Sequence, residues 1–260
     1  MNNPDIQLDI CGDNHEVAVI RLTRPAKRNA LNDALVIAIR DTFDNLPASV
    51  RAAVITGQGE HFCAGLDLSE LQERDAGQGI HHSRMWHAAL ERVQFGPVPV
   101  IAALHGAVVG GGLELASACH IRVADESTFY ALPEGSRGIF VGGGGSVRIP
   151  KLIGVARMTD MMLTGRVYDA ASGERIGLAQ YLVPAGQAFD KAFELAQRIA
   201  QNAPLTNYAL MHALPRIAEQ PADQGFFTEA LMASIAQSAP EAKARVQAFL
   251  EGRAAKVQKD

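Results

Sequence analysis

The sequence predicts an α/β fold in which strands and helices alternate over the first two-thirds of the chain and helices alone make up the rest. Three observations carry this expectation. Four short β-branched runs read as buried strands, segments of helical apolar spacing lie between them, and after about residue 185 helical patterns follow one another, broken only by proline and glycine.

The strands are "VAVIRL" (17–22), "RAAVITG" (51–57), "VPVIAAL" (98–104) and "IRVA" (121–124). Between the first two, "LNDALVIAIRDTFDNL" (31–46) has helical spacing, with Asn32 placed to cap it and Asp33 in its first turn. A second helix is expected over "SRMWHAALERVQF" (83–95). The tail segments "GQAFDKAFELAQRIAQNAP", "LTNYALMHALPRIAEQ", "QGFFTEALMASIAQ" and "EAKARVQAFLEGRAAKV" give four more. The expected organisation is therefore a core over 1–185 and a helical region over 186–260.

Composition narrows the function. Apolar residues make up 48% and charged residues 20%, as in ordinary soluble enzymes. A net charge of −4 and an isoelectric point of about 6.1 leave no basic field for nucleic acid. Cys11, Cys63 and Cys119 lie far apart without a CxxC pair, as expected of reduced thiols in a cytoplasmic protein. The N-terminus has neither the basic start nor the apolar run of a signal peptide, and Pro99, His105 and glycines interrupt the longest apolar stretch. No membrane association is expected.

The most informative segment is "VPVIAALHGAVVGGGLELASACHIRVA", which reads as strand, glycine run, helix and strand. A helix starting near Gly111 points unpaired N–H groups and its dipole at whatever approaches, and glycine lets a ligand come close. Glu114 then stands one turn in, beside a polarised carbonyl. A glycine-rich turn with a favourable first-turn acid explains the segment equally well. It is no P-loop, because no GK[ST] follows, and neither "VVGGGL" nor "VGGGGSV" (141–147) fits a dinucleotide fingerprint. "GEHFCAGLDL" (59–68) adds a second turn of small residues, where the Leu66 N–H can supply another donor. Two donors and two carboxylates, Glu114 and Glu134, make an acid/base site beside a carbonyl.

"RPAKRNALN" (24–32), "HFCAGLDL" (61–68), "HGAVVGGGLELASAC" (105–119) and "LPEGSRGIFVGGGGSVRI" (132–149) resemble, in order and spacing, the signature blocks of the crotonase, or enoyl-CoA hydratase/isomerase, superfamily. The resemblance implies a spiral of ββα units with a C-terminal helical region that trimerises and covers the site, in a homotrimer or homohexamer. It implies that the N–H groups of Leu66 and Gly111 hold the thioester oxygen of an acyl-CoA. Glu114 and Glu134 match the pair that holds water in the hydratase branch, Glu114 taking its proton and Glu134 protonating the α-carbon. Gly142 matches an amide that positions this water. Ala64, Leu66 and Leu68 match backbone contacts to adenine, and Lys27 and Arg28 are candidates for the phosphates. No metal or other cofactor is implied beyond the coenzyme A of the substrate.

His120 stands where many members carry an acid, Val141 replaces a frequent proline, and Gly252 replaces a CoA-contacting lysine, leaving Arg253 or Lys256 as substitutes. His81 and His82 read as ordinary exposed histidines, and His105 as a packed turn residue. The expected activity is hydration of a trans-2-enoyl-CoA by syn addition of water. The "LPEGSRGIFVGGGG" wording resembles the branch acting on short or sulfur-bearing acyl groups such as methylthioacryloyl-CoA, with thioester breakdown. Isomerisation and thioester hydrolysis fit the same scaffold, and a non-catalytic CoA- or RNA-binding protein is the alternative of another class. A two-carboxylate glycosidase is disfavoured by one tryptophan and 6% aromatics.

Overall fold

A computed structural model describes residues 3–70 and 73–253, which divide into two units, Met1–Ala200 and Gln201–Asp260. The first unit opens with β1 (Ile6–Cys11), β2 (Val17–Leu22), α1 (Asp33–Asp44), β3 (Ala52–Gly57) and α2 (Ala76–Gln94). β4 (Val100–Leu104), β5 (Ala107–Val109), α3 (Gly111–Ala118), β6 (Ile121–Asp125) and β7 (Phe129–Ala131) follow. It closes with α4 (Gly145–Ile153), α5 (Val155–Thr164), β8 (Tyr168–Asp169), α6 (Ala170–Ile176), β9 (Tyr181–Val183) and α7 (Ala188–Ala200).

A six-stranded sheet has the order β1-β2-β3-β4-β6-β9, and a smaller one the order β5-β7-β8. β1 pairs antiparallel with β2, while every other neighbour in the large sheet is parallel. The chain visits the large sheet, then the small one, then a helix: β4–β5–α3 is one such turn and β6–β7–α4 the next. Earlier turns repeat the path with single bridges in place of full strands. Leu31 pairs with Leu66 before α1, and Cys63 pairs with Val108 before α2, both parallel. This is the spiral of ββα units that the resemblance implies. It brings the ends of successive turns, at Leu66 and Gly111, side by side.

Strand alternation divides the core in two, as period-2 side chains require. Ala18, Ile20, Ala53, Ile55, Ala102 and Leu104 face the main core, while Val17, Val19, Val54, Ile101 and Val123 face α7. Ala188, Ala192, Leu195 and Ala196, at helical spacing, cover that second face. α7 therefore belongs with the sheet, and the boundary between units falls after Ala200 rather than after 185. The change of sequence texture marks where strands cease, not where packing on them ceases.

Asn32 caps α1 as expected, its side chain accepting from the Leu35 N–H at 2.9 Å. The expected helix at 83–95 begins seven residues earlier, at Ala76. Its start is fixed by a reciprocal cap in which Asp75 accepts from the Gln78 N–H at 2.8 Å and the Gln78 side chain accepts from the Asp75 N–H at 3.1 Å. Two glycines in its first turn hid this start, since glycine is a poor helix former.

The second unit contains α8 (Pro204–Tyr208), a wide π turn over Ala209–Ala213, α9 (Leu214–Ile217), α10 (Ala222–Ser238) and α11 (Pro240–Leu250). The expected second tail helix is thus split, because Pro215 lacks an N–H to continue the ladder. No helix among the described residues is long and apolar enough to cross a membrane.

Candidate active site

Two loops meet backbone to backbone at the centre of the first unit. The Cys63 N–H donates to the Ala107 carbonyl at 2.9 Å and the Val109 N–H returns a bond to Cys63 O at 3.1 Å. Such contact excludes side chains. A Cβ on Gly112 would lie 2.3 Å from Cys63 O, and one on Gly65, at φ +93°, would lie 2.7 Å from Val109 O. Gly110 turns the chain into α3 at φ +53°.

Here Leu66 and Gly111 come together: a Cβ on Gly111 would stand 3.5 Å from the Leu66 nitrogen. Neither amide donates to a protein acceptor among the described residues. Gly111 opens α3, whose first N–H groups have no intrahelical partner. Two unpaired donors so arranged stabilise a carbonyl oxygen that gains negative charge.

α3 is buried on every side, so an acid on it needs a reason. Glu114, 4% exposed, has Oε1 accepting from the N–H groups of Gly143 and Gly145, both at 2.8 Å. The glycine run starts α4, with Gly144 as its left-handed cap, and its amides hold the acid itself. Gly142 lies just before this pair, and its N–H donates to no described protein acceptor. Arg148 braces the run, donating to Gly143 O at 2.9 Å and to Gln94 Oε1 at 2.7 Å.

Glu134, 6% exposed, follows Pro133 beyond β7. Its Oε2 has no hydrogen-bond partner, and a Cβ on Gly110 would lie 2.7 Å from its Oε1. Burial pushes the Glu134 carboxyl above its ordinary range, and the charge of Glu114 pushes it further. Burial raises Glu114 too, opposed by the Gly145 and Gly143 amides and by the charges of Arg148 and His87. The two acids thus differ in environment: Glu114 is held by two amide donors and faces the charge of Arg148, while Glu134 has a buried oxygen without a partner.

The other expected site residues gather at the far side of the Leu66 loop. The Ala64 N–H donates to Arg28 O at 2.9 Å, tying the two blocks together. Lys27 Nζ donates to Ser69 Oγ at 3.0 Å and lies 3.9 Å from Asp67 Oδ1. Leu68 is exposed there, and Arg28 is exposed in a left-handed conformation. Lys27, Arg28, Ala64, Leu66 and Leu68 thus form one neighbourhood. Arg253 pairs with Glu251 in the second unit, and Lys256 lies outside the described residues.

Sequence reading missed the braces. Arg24 reaches the buried Asp67 at 2.9 Å, and the buried Asn29 donates to Gln58 O and His61 O at 2.9 and 2.7 Å. Ser69 and Arg24 hold the Asp67 carboxyl below its usual range against the burial that would raise it. His120 supports the turn without an acid: its Nδ1 accepts from the Val100 N–H at 3.0 Å, so Nε2 carries the proton toward Gln94 O, also at 3.0 Å. His82 is not an ordinary exposed histidine, since it lies 2.6 Å from Asp33 Oδ1. His105 is a packed turn residue, and burial lowers its pKa.

The family model described as enoyl-CoA hydratase/isomerase matches residues 12–259. The chain is 31% identical to the enoyl-CoA hydratase EchA19 of Mycobacterium tuberculosis, covering 91% of each protein. It is 32% identical to the 2,3-dehydroadipyl-CoA hydratase of Escherichia coli, covering 91% of this chain and 93% of that protein. A crystal structure from Rhodopseudomonas palustris, provisionally described as an enoyl-CoA hydratase, superposes with a TM-score of 0.93 at 60% identity, over 96% of each chain.

Proposed function

The chain belongs to the enoyl-CoA hydratase/isomerase family, in the hydratase branch of the crotonase superfamily, and from that premise we propose that Glu114 and Glu134 add water across the double bond of a trans-2-enoyl-CoA. One observation carries the reading: a carboxylate held by two amides and an acid with an unpartnered oxygen stand beside two unpaired backbone donors.

In this mechanism the Leu66 and Gly111 N–H groups take the thioester oxygen and draw electron density from C3. Glu114 removes a proton from a water aligned by the Gly142 amide, and the water oxygen bonds to C3. The alkene pair moves through C2 onto the thioester as an enolate. Glu134 protonates C2 from the same face, giving syn addition. Glu114 then holds the proton that Glu134 has lost, and exchange through solvent restores the pair. No metal or redox group is required. Isomerisation needs only one acid, so two buried acids favour hydration.

Ala64, Leu66 and Leu68 would contact adenine, with Lys27 and Arg28 at the phosphates. The acyl group is proposed to be short or sulfur-bearing, as in methylthioacryloyl-CoA. Hydration there puts a hydroxyl on a carbon already bonded to sulfur, and the hemithioacetal expels a thiol to leave an aldehyde; thioester breakdown would also free CoA. The apolar Phe226 and Phe227 on α10 would pack in a homotrimer or homohexamer, in the cytoplasm.

The test follows crotonyl-CoA and methylthioacryloyl-CoA by loss of enoyl-thioester absorbance, with thiol detection in parallel. Loss of absorbance without thiol release means hydration alone; release only with the sulfur substrate means adduct breakdown. No consumption of either would defeat the reading.

A further inference from the structure

We propose that Trp86 is a specificity-determining residue that walls the acyl side of the carbonyl hole and selects thioesters unbranched at the α-carbon. The inference rests on the acyl-CoA reading of the site and deepens it.

The indole, 4% exposed, projects from α2, and its Cζ3 would lie 3.3 Å from a Cβ on Gly111, close to where the Leu66 nitrogen also stands. Any oxygen held by both amides therefore has the benzo edge of this ring as a near neighbour. Its direction follows from the rest of the helix. Ser83 Oγ would lie 3.1 Å from a Cβ on Gly142, and Leu90 Cδ1 3.2 Å from one on Gly143. α2 thus runs along the glycine backbone that holds Glu114. With the oxygen in the hole, the sulfur leads toward the Lys27–Leu68 neighbourhood and the α-carbon toward the acids, beneath Trp86. A substituent on the α-carbon meets the ring.

The ring is held in place from its other end. Indole Nε1 donates to Asp33 Oδ1 at 3.1 Å, and the same oxygen lies 2.6 Å from His82 Nε2. Arg74 lies 3.4 Å from Asp33 Oδ2. Asp33 opens α1, so its backbone is fixed by the helix that Asn32 caps. A buried indole hydrogen-bonded at one edge and packed at the other cannot swing aside without losing both contacts.

Trp86 is the only tryptophan in the chain, which supplies a direct readout. Butyryl-CoA, which cannot be hydrated, is titrated by calorimetry into wild type, Trp86→Phe and Asp33→Asn, and by tryptophan fluorescence into wild type and Asp33→Asn. Crotonyl-CoA and its α-methyl analogue tigloyl-CoA are then compared by kcat/KM, with Trp86→Ala added. In wild type the fluorescence should fall with the same midpoint as the heat. Trp86→Ala should raise the tigloyl-to-crotonyl ratio by roughly tenfold or more, the discrimination a pocket makes over one methyl. Trp86→Phe should move it the same way by less, and keeps a ring if the alanine variant fails to fold. Asp33→Asn should loosen the ring and give a smaller rise. Normal heats with unchanged fluorescence, or an unchanged ratio in the folded Trp86 variants, would overturn the proposal alone. Absence of heat in wild type would overturn the acyl-CoA reading beneath it.

Discussion

Glu134→Gln should make the protein slower and more stable at once. Glu134 Oε2 is buried without a partner, and burial together with the Glu114 charge raises its carboxyl above the ordinary glutamate value of 4.5. A raised folded-state pKa contributes stability that is full below the unfolded value and is lost as pH rises through the folded one. From about pH 4.5 upward the wild type therefore loses this contribution, while glutamine has nothing to titrate. Each unit by which a carboxyl pKa is raised on folding corresponds to about 1.4 kcal/mol. Relief of even about 1 kcal/mol corresponds to a rise of roughly 2–4 °C in melting temperature for a unit of this size. The advantage over wild type should widen with pH. Glutamine cannot deliver a proton to the α-carbon, so kcat should fall by roughly 10²–10⁴-fold, equal to about 3–5 kcal/mol of barrier. Differential scanning fluorimetry between pH 4 and 8, beside crotonyl-CoA hydration, checks both arms. Hydration within a fewfold of wild type would refute the proton assignment, and a stability gap independent of pH would refute the electrostatic argument.

Three further outcomes follow from the braces. Arg148→Gln removes a positive charge that keeps Glu114 ionised, so the acid limb of the kcat/KM profile should move to higher pH, whereas Arg148→Lys should hold it near wild type; an unmoved limb in the glutamine variant would count against the charge's role. Gly112→Ala puts a methyl 2.3 Å from Cys63 O, and should destabilise by about 1–3 kcal/mol in urea while spreading the two hole amides and lowering kcat/KM. Burial pushes the Cys63 and Cys119 thiols up to about 12, so a disulfide reagent at pH 8 should titrate Cys11 alone in the native protein and all three thiols in denaturant.

Much of this was legible in the sequence, and the rest was hidden for identifiable reasons. β2, β3, β4 and β6 are nearly continuous apolar runs because both faces of the large sheet are covered, and such runs announce themselves. β1, half exposed at the edge, and the two- or three-residue strands β5, β7, β8 and β9 carry too little pattern to read. Glu114, Glu134, Leu66 and Gly111 could be singled out together because motif order encodes the spiral's register. Gly142 was singled out for the water it would align, whereas the hold of the Gly143 and Gly145 amides on the Glu114 carboxyl was not read. Asp33 was read only as a first-turn acid. Its hold on Trp86 and His82 spans about fifty residues, and no local pattern reports a contact of that separation.

The three consecutive glycines at 110–112 show how such a costly stretch is retained. Each glycine in a helix or strand weakens it by about 0.5–1 kcal/mol relative to alanine, so a run of three needs more than one justification. The structure supplies a different one at each position. A Cβ on Gly110 would meet the Glu134 carboxylate, one on Gly111 would press on Trp86 and crowd the Leu66 amide, and one on Gly112 would strike the Cys63 carbonyl. Only Gly110 has a positive φ, so backbone conformation alone explains a single glycine of the three. The other two are required by proximity: Gly112 lets two turns of the spiral touch, and Gly111 lets a donor face outward between them. Because these requirements are separate, alanine substitutions should fail in separate ways. Change at 112 should act first on stability, change at 111 on the carbonyl hole, and change at 110 on the acid pair.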